Sequence, residues 1–333
     1  MNEQIGFVSI VIPCRNEGLF IARCLDSLIA NDYPKYKMEI LVVDGMSTDD
    51  TRDIVSTYME KYTNIKLLNN PKGITPIAMN IGIESARGEY ISKSDAHSVY
   101  PPYYISTCVR YLEEYKADVV GGSAIATAAK NTFAARAIVA TLSSIFGTGG
   151  SRFRTNTTKP IWTDTAFGLI YRKNILERVG KFNRNLARSQ DMDINMRIRQ
   201  IGGKLLLIPK IAIAYYPKTT LLSFFEHNFR DGIWAVLPMR YGAPLFKIRH
   251  LLPGLFVLGL AASLAASFFI PFSIYLFLAG ISIWLAVAIV FSLSSAAKEK
   301  DIFLAPFVFG ALGARHFGYG AGSLVGLMRL ITG

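Results

Sequence analysis

At 333 residues the chain is too long for one minimal domain and suits one large domain with an appendage. Half of it is hydrophobic (51 %), which excludes a disordered chain, and its charge is uneven: +10 of the net +12 falls in residues 1–250. Three scattered cysteines, Cys14, Cys24 and Cys108, form no CxxC pair, which excludes a disulfide scaffold, argues against a zinc site and fits a reducing compartment.

The first residues carry an acid and no basic stretch, so no cleaved signal peptide is expected. Residues 7–13 are a short β-branched apolar run that predicts a buried strand, and 17–30 follow with a helical stripe of Ile21, Cys24, Leu25 and Leu28. Residues 38–44 predict a second strand. Ser47, Thr48, Asp49 and Asp50 then supply N-cap chemistry for a helix running to about residue 62. A strand at 65–68, a helix at 75–86 closed by Gly88 and a strand at 89–94 continue the alternation. Such alternation predicts a mostly parallel, Rossmann-like sheet covered by helices.

Ligands of such sheets bind beyond the carboxyl ends of the strands. Three predicted strands stop there at polar residues: Pro13-Cys14-Arg15-Asn16-Glu17, Asp44-Gly45 and Ser94-Asp95-Ala96-His97. Neither GxGxxG nor GxxxxGK[ST] is present, so the dinucleotide fingerprint and the phosphate loop of that type do not apply. Asp95 and His97 are two apart, so on an extended chain both point the same way, as a divalent-cation pair or as a turn acid beside an incidental histidine. Asp44 either accepts from a nucleobase or ribose or bonds the backbone of its own turn. Arg15 and Glu17 can meet phosphate or form a surface ion pair. Downstream, Ile194, Ile198 and Ile201 mark a helix that Ser189 can cap and Gly202-Gly203 ends. Asp191 falls in its first turn, where the helix dipole favours the ionised form that a general base needs; ordinary N-terminal acidity reads the same way.

Taken in order, VSIVIPCRNE at 8–17, VVDGMSTDDT at 42–51, KSDAH at 93–97 and QDMDINMRIRQIGG at 190–203 resemble family 2 inverting glycosyltransferases of the GT-A fold. Asn70–Gly73, Met79–Ile83, Asp95–Pro102 and Gly149–Ser151 resemble the ExoA-type succinoglycan glucosyltransferase subgroup most. The resemblance implies a nucleotide-sugar donor, most simply a UDP-sugar, with Pro13, Arg15, Glu17, Asp44 and Ser94 at the nucleotide and Asp95 and His97 at Mn²⁺ or Mg²⁺. It implies Asp191 as the base and makes Asp164 and Asp193 acceptor-side candidates. His97 replaces the usual second acid of the metal motif, and Gln190 stands where many relatives have Glu. The Gln-x-x-Arg-Trp group of processive synthases is replaced by His227-Asn228-Phe229-Arg230, with Trp234 beyond, which implies single transfer and Arg230 on the donor diphosphate or anchoring an interfacial helix.

Residues 217–250 mix aromatics with cations, as helices in the headgroup layer do, and 131–147 are apolar enough to meet the same lipid. Two apolar stretches fill 251–270 and 272–293, parted by Pro271, and each is about the twenty residues a span needs. A third, 302–331, holds Arg315 and His316, which either meet a polar ligand or snorkel. Arg240, Lys247, Arg249 and His250 before the first span and Lys298 and Lys300 after the second place both flanks in the cytoplasm. The expected organisation is a GT-A domain at 1–216, interfacial helices at 217–250 and an anchor of two or three transmembrane helices at 251–333, in a multi-pass cell-membrane protein with its catalytic domain cytoplasmic. The expected acceptor is a polyprenyl-linked saccharide. The alternatives are transfer to a polyprenyl phosphate and a non-catalytic membrane nucleotide-binding scaffold. Nucleic acid is not an expected partner: anionic lipid and phosphate account for the basic residues.

Overall fold

The computed structural model describes residues 5–154, 158–243 and 250–332; the flanking Lys247 and Arg249 lie outside the described residues. In chain order the strands are β1 (Val8–Cys14), β2 (Met38–Asp44), β3 (Ile65–Asn69), β4 (Tyr90–Lys93), β5 (Ser98–Val99), β6 (Val119–Ala126), β7 (Ile161–Trp162), β8 (Phe167–Arg172) and β9 (Leu205–Tyr215). The helices are α1 (Ile21–Ile29), α2 (Thr51–Lys61), α3 (Thr75–Ser85), α4 (Tyr104–Glu114), α5 (Phe133–Leu142), α6 (Ile145–Thr148), α7 (Lys173–Arg178), α8 (Gln190–Gln200), α9 (Leu221–Val236), α10 (Leu252–Ala266), α11 (Ser273–Lys298) and α12 (Ala305–Thr332). They form two compact units, residues 1–125 with 152–215 and residues 126–151 with 216–333. The second unit thus takes in an excursion, 126–151, from the middle of the chain.

The first unit is built on one sheet in the order β3-β2-β1-β4-β8-β6-β9-β5, with β7 on β9. β3, β2, β1 and β4 are parallel neighbours, as the alternation predicts. From β8 onward every described pairing is antiparallel, so the sheet is mixed rather than mostly parallel. β8 lies between β4 and β6 and runs opposite to both, which turns the sheet from parallel to mixed. Strands buried on both faces read as continuous apolar runs. Ile10, Ile12, Ile40 and Val42 pack on one face with Ile21, Leu25 and Ile105, while Val11, Leu41 and Val43 pack on the other with Met79, Ile194 and Ile198.

In the second unit, only α11 among the described helices is long and apolar enough to cross a membrane by length and composition, and just 11 % of its most apolar stretch is buried. The expected first span is the 15-residue α10, about 22 Å long against a hydrocarbon core of about 30 Å. The chain leaves the helix at Ser267 and turns through Pro271 before α11 begins. The region is therefore not a uniform pair or trio of spans. α12 is 28 residues long and is interrupted in polarity by Arg315 and His316. Its glycines lie against the backbone of α9: a Cβ at Gly318 would come within 3.1 Å of the Phe225 carbonyl, at Gly322 within 2.0 Å of the Phe229 carbonyl, and at Gly326 within 2.5 Å of the Ile233 carbonyl. Small residues every fourth position let two helices approach at backbone distance. α9, expected as an interfacial amphipathic helix, is thus packed along its length on α12.

Candidate active site

The site forms in the first unit, where β1, β2 and β4 end side by side. Pro13 has no N–H to donate, and the β1–β4 ladder stops at Val11↔Lys93 while the β1–β2 ladder runs on to Cys14↔Asp44. The segment after β4 therefore diverges from β1, and the loop after β1 stays with the loop after β2. Four short bonds clamp those loops together. Ser47 Oγ accepts from Asn16 N (2.8 Å), Thr51 Oγ1 from Glu17 N (2.8 Å), Asp49 from Gly18 N (3.0 Å), and Asn16 Oδ1 from Thr48 N (2.9 Å). The Ser-Thr-Asp-Asp run was expected to cap α2. The N-cap residue, Asp50, makes no side-chain cap bond; its neighbour Asp49 accepts from Thr51 N at 3.1 Å through Oδ1 while Oδ2 serves the facing loop. Arg15 is exposed and lies over Gly73, where φ is +66° and a Cβ would meet Arg15 Nη1 at 2.8 Å.

Beyond β4 the chain passes through Asp95 into a turn at Ala96-His97. Asp95 N donates to Tyr100 Oη at 2.7 Å, and Cys24 Sγ approaches the Asp95 carbonyl, so the backbone of the motif is held from beneath. His97 Nδ1 lies 3.1 Å from Glu17 Oε1, which ties the first and third strand-end groups together. Lys93 is 8 % exposed, and its Nζ sits 3.1 Å from Asp95 Oδ1 and 3.1 Å from Asp191 Oδ2. Two carboxylates from distant motifs thus share one ammonium, and both stay open to a ligand at 29 % and 37 % exposure.

The electrostatics follow from this arrangement. Burial disfavours the charge on Asp95, but the Lys93 ammonium and His97 outweigh it and hold the carboxyl below its ordinary value. Asp191 goes the other way: burial, with the Asp95 charge adding to it, exceeds what Lys93 restores, and its carboxyl is raised. Burial would lower the pKa of Lys93, yet its two acids raise it above the ordinary value. The sequence pointed to a dipole-stabilised Asp191. The residue is indeed in the first turn of α8, but desolvation dominates the dipole. Ser189 holds the N-cap position in a left-handed conformation (φ 60°) without a side-chain cap bond, so the expected capping role is not realised. Asp191 Oδ1 and Gln190 Oε1 are buried acceptors with no donor from the described protein.

Several expected site residues are engaged elsewhere. Asp44 is fully buried and accepts from Ser47 Oγ (2.5 Å), Ser47 N (3.1 Å) and Arg52 (2.6 Å), the turn-acid arrangement with a guanidinium added. Burial opposes its charge, but Ser47 and Arg52 prevail and keep its carboxyl below the usual value. Ser94 was expected at the nucleotide; it is fully buried, with its hydroxyl 3.1 Å from Ser92 Oγ in a chain that reaches Tyr104, so it supports β4 from the core side. Asp193 was an acceptor-side candidate, but it is 1 % exposed and accepts twice from Arg197, at 2.7 and 3.0 Å, which is a structural lock inside α8. Asp164 lies half-buried in the turn between β7 and β8. Arg230 is exposed on α9, in the second unit.

Lys93 is the residue that sequence reasoning missed. Its signal was available, since period two along an extended strand puts residue 93 on the side of 95. The cation question turns on the same residues. No group of three or more His, Cys, Asp or Glu forms a cage among the described residues. Asp95 with His97 offers a short donor set that fits a hard divalent ion completed by substrate phosphates and water, and does not fit structural zinc.

A half-parallel sheet with helices on both faces, its acidic groups gathered at the strand ends and an antiparallel continuation beyond β4, defines a GT-A-type sugar-transferring fold. Residues 9–180 match the family described as glycosyl transferase family 2. The chain belongs to that family and is a glycosyltransferase. It is 28 % identical over 254 residues to the Methanococcus voltae dolichyl N-acetyl-alpha-D-glucosaminyl phosphate 3-beta-D-2,3-diacetamido-2,3-dideoxy-beta-D-glucuronosyltransferase, covering 75 % of this chain and 78 % of that protein. It is also 28 % identical over 227 residues to the succinoglycan biosynthesis protein ExoA of Rhizobium meliloti (strain 1021), covering 67 % of each. Equal identity over a shorter overlap does not single out the ExoA subgroup. The mannosyltransferase PcManGT of Pyrobaculum calidifontis, solved with GDP-Man and Mn²⁺, shares the fold at a TM-score of 0.64 and 19 % identity, over 94 % of this chain and 88 % of that one.

Proposed function

We propose that the enzyme is a membrane-anchored inverting glycosyltransferase that moves a sugar from a nucleotide-sugar, a UDP-sugar in the simplest form, to a hydroxyl of a polyprenyl-linked saccharide. The observation that carries this reading is the Lys93 bridge, which draws the strand-end acid Asp95 and the helix-start acid Asp191 to one ammonium, 3.1 Å from each. Two carboxylates in one open site with opposite pKa shifts suit two roles. Asp95 and His97, with Glu17 behind the imidazole, would hold Mn²⁺ or Mg²⁺, which when bound neutralises the donor diphosphate. Arg15 on the neighbouring loop meets phosphate oxygens. Pro13 and Glu17 line the donor side, and Asp44 positions the loop through Ser47 and Arg52.

Asp191 is the general base. Its raised pKa makes it a better proton acceptor than an ordinary aspartate. The acceptor hydroxyl loses its proton to Asp191 as its oxygen bonds the anomeric carbon from the face opposite the diphosphate. The anomeric carbon–oxygen bond breaks, its electron pair leaves with the nucleoside diphosphate, and configuration inverts. Asp164 is kept as an acceptor-side candidate. The M. voltae relative, whose name specifies a dolichyl-linked phosphate substrate, supports a lipid-linked acceptor. α11 supports a membrane anchor. The basic residues before the anchor place the catalytic unit on the cytoplasmic side.

The test is a donor screen with purified full-length protein, Mn²⁺ or Mg²⁺, a panel of nucleotide sugars and membrane lipid extract, following nucleoside diphosphate release. Metal-dependent release stimulated by lipid extract is expected. No release with any donor would overturn the reading. If Asp191→Asn instead transfers at the wild-type rate, the acceptor is a lipid phosphate, whose oxygen needs no base.

A further inference from the structure

The Lys93 bridge asks more of the chain than the neutralising of two acids requires. Asp95 and Asp191 are 29 % and 37 % exposed, so water reaches both, yet the fold buries an ammonium to 8 % exposure in order to meet them. Burying a charge is costly, and a buried ion pair is a poor source of stability beside apolar packing. The backbone is nevertheless built to deliver this one. Lys93 ends β4 in register with Val11 of β1, and period two puts its side chain on the face of Ile91. That face packs with Val11, Ile194 and Ile198, and Ile194 lies about one turn beyond Asp191 on α8. The core that seats α8 thus also aims Lys93 at the first turn of that helix, while its other partner, Asp95, sits two residues on along its own chain.

The charges show what the bridge does. One ammonium stands between the acid that suits a cation and the acid that suits a base, 3.1 Å from an oxygen of each. It opposes a bare divalent ion at Asp95, since like charges at such range repel and a partly buried site screens them weakly. A diphosphate brings the negative charge that outweighs this repulsion, so cation and nucleotide are favoured together and the cation alone is not. The base is affected as well. Asp191 Oδ1 is buried without a partner in the described protein and Oδ2 is on Lys93, so the ammonium sets the orientation of the carboxylate.

We propose that Lys93 is a positioning residue for sugar transfer: it keeps the cation side of the site closed to a free divalent ion until a nucleoside diphosphate brings one, and it holds the Asp191 carboxylate beside Asp95. This rests on the function proposed above and gives Lys93 a duty in it beyond stability.

The test reads Mn²⁺ binding by electron paramagnetic resonance on full-length protein in detergent, first with Mn²⁺ alone and then with the nucleoside diphosphate that the best donor releases, the complex formed without protein being subtracted. Wild type should bind Mn²⁺ alone about tenfold or more weakly than in the ternary complex. Lys93→Met should bind Mn²⁺ alone about tenfold or more tightly than wild type, and should lose about tenfold or more in kcat with the donor KM little changed. Lys93→Arg keeps the charge, so it should bind Mn²⁺ alone as weakly as wild type and retain more of kcat than Lys93→Met. A lysine serving stability alone would shift the unfolding midpoint and leave the Mn²⁺ affinity of the folded protein unmoved. A folded Lys93→Met that binds Mn²⁺ no more tightly than wild type, or that transfers with the wild-type kcat, would overturn the proposal. Should Lys93→Met not fold, the wild type decides: Mn²⁺ held as tightly alone as with nucleotide would overturn it equally. Failure of the functional reading is distinct, since the wild type would then release no nucleoside diphosphate from any donor, whereas failure of this proposal leaves that release intact.

Discussion

In the first unit, side chains of β1 and β2 alternate into two apolar layers, and the loops at their ends are joined by hydroxyl and carboxylate groups that capture backbone N–H groups. In the second unit, α9 and α12 meet where side chains are missing, with Gly318, Gly322 and Gly326 against the carbonyls of Phe225, Phe229 and Ile233, about one turn apart on α9. The first arrangement draws its strength from burying apolar area, about 25 cal/mol per Å², and tolerates small shifts in outline. The second relies on close backbone contact, so one added methyl group is a collision. Chemistry that needs placed acids is carried by the first kind of scaffold, and the second supplies a tightly packed helical base.

Substitutions can break each half of this contrast separately. The largest expected effect is chemical: Asp191→Asn should lower transfer by about 10²–10⁴-fold with the fold retained, because the base is lost while Lys93 keeps Asp95 as a partner. Rates with the best donor, alongside an unfolding curve, check both parts. Lys93→Met comes next. It leaves two carboxylates facing each other, and since each is about a third exposed the cost is about 2–3 kcal/mol rather than the roughly 3–5 of a fully buried pair. Denaturant unfolding of Lys93→Met beside Lys93→Arg measures it, and equal stability of the Met variant and the wild type would contradict the bridging role. In the second unit, Gly322→Leu places a Cβ 2.0 Å from the Phe229 carbonyl and should cost about 1–3 kcal/mol, read as earlier proteolysis around α9 in detergent while the first unit stays resistant. Intact α9 after that change would contradict backbone-distance packing. The smallest effect is in pH dependence: with its carboxyl raised by burial and Asp95, Asp191 protonates at a higher pH than an ordinary aspartate. The acid limb of kcat/KM should therefore lie above the ordinary aspartate value, and a limb at or below it would contradict the assignment.

The same contrast explains what the sequence made legible. Strands 38–44 and 65–68 and the convergence of Glu17, Asp95 and His97 follow from local rules, since a period-two apolar run and a polar strand end can each be read within ten residues. Ser94 and Asp193 were misplaced because type alone does not say which side of a strand or helix a polar residue faces. Burial against Ser92 in one case and an i,i+4 arginine in the other decided it. Asp44 had both readings open, and Arg52, in the first turn of the next helix, binds its carboxylate alongside the turn. In the second unit, hydropathy registered 251–270 and 272–293 as two spans and 302–331 as a weaker third. It missed that α10 is short, and that the glycines of α12 mark a face pressed on α9, because a glycine contributes no apolar signal to direct the reading.

The central claim is that Asp95 and Asp191 serve one centre with separate duties. Binding of UDP with Mn²⁺ and sugar transfer, measured side by side on wild type, Asp95→Asn and Asp191→Asn, tests it most directly. The account predicts that Asp95→Asn weakens Mn²⁺-dependent UDP binding by about tenfold or more, while Asp191→Asn binds as the wild type does and scarcely transfers. UDP binding untouched by Asp95→Asn, together with wild-type transfer by Asp191→Asn, would contradict it.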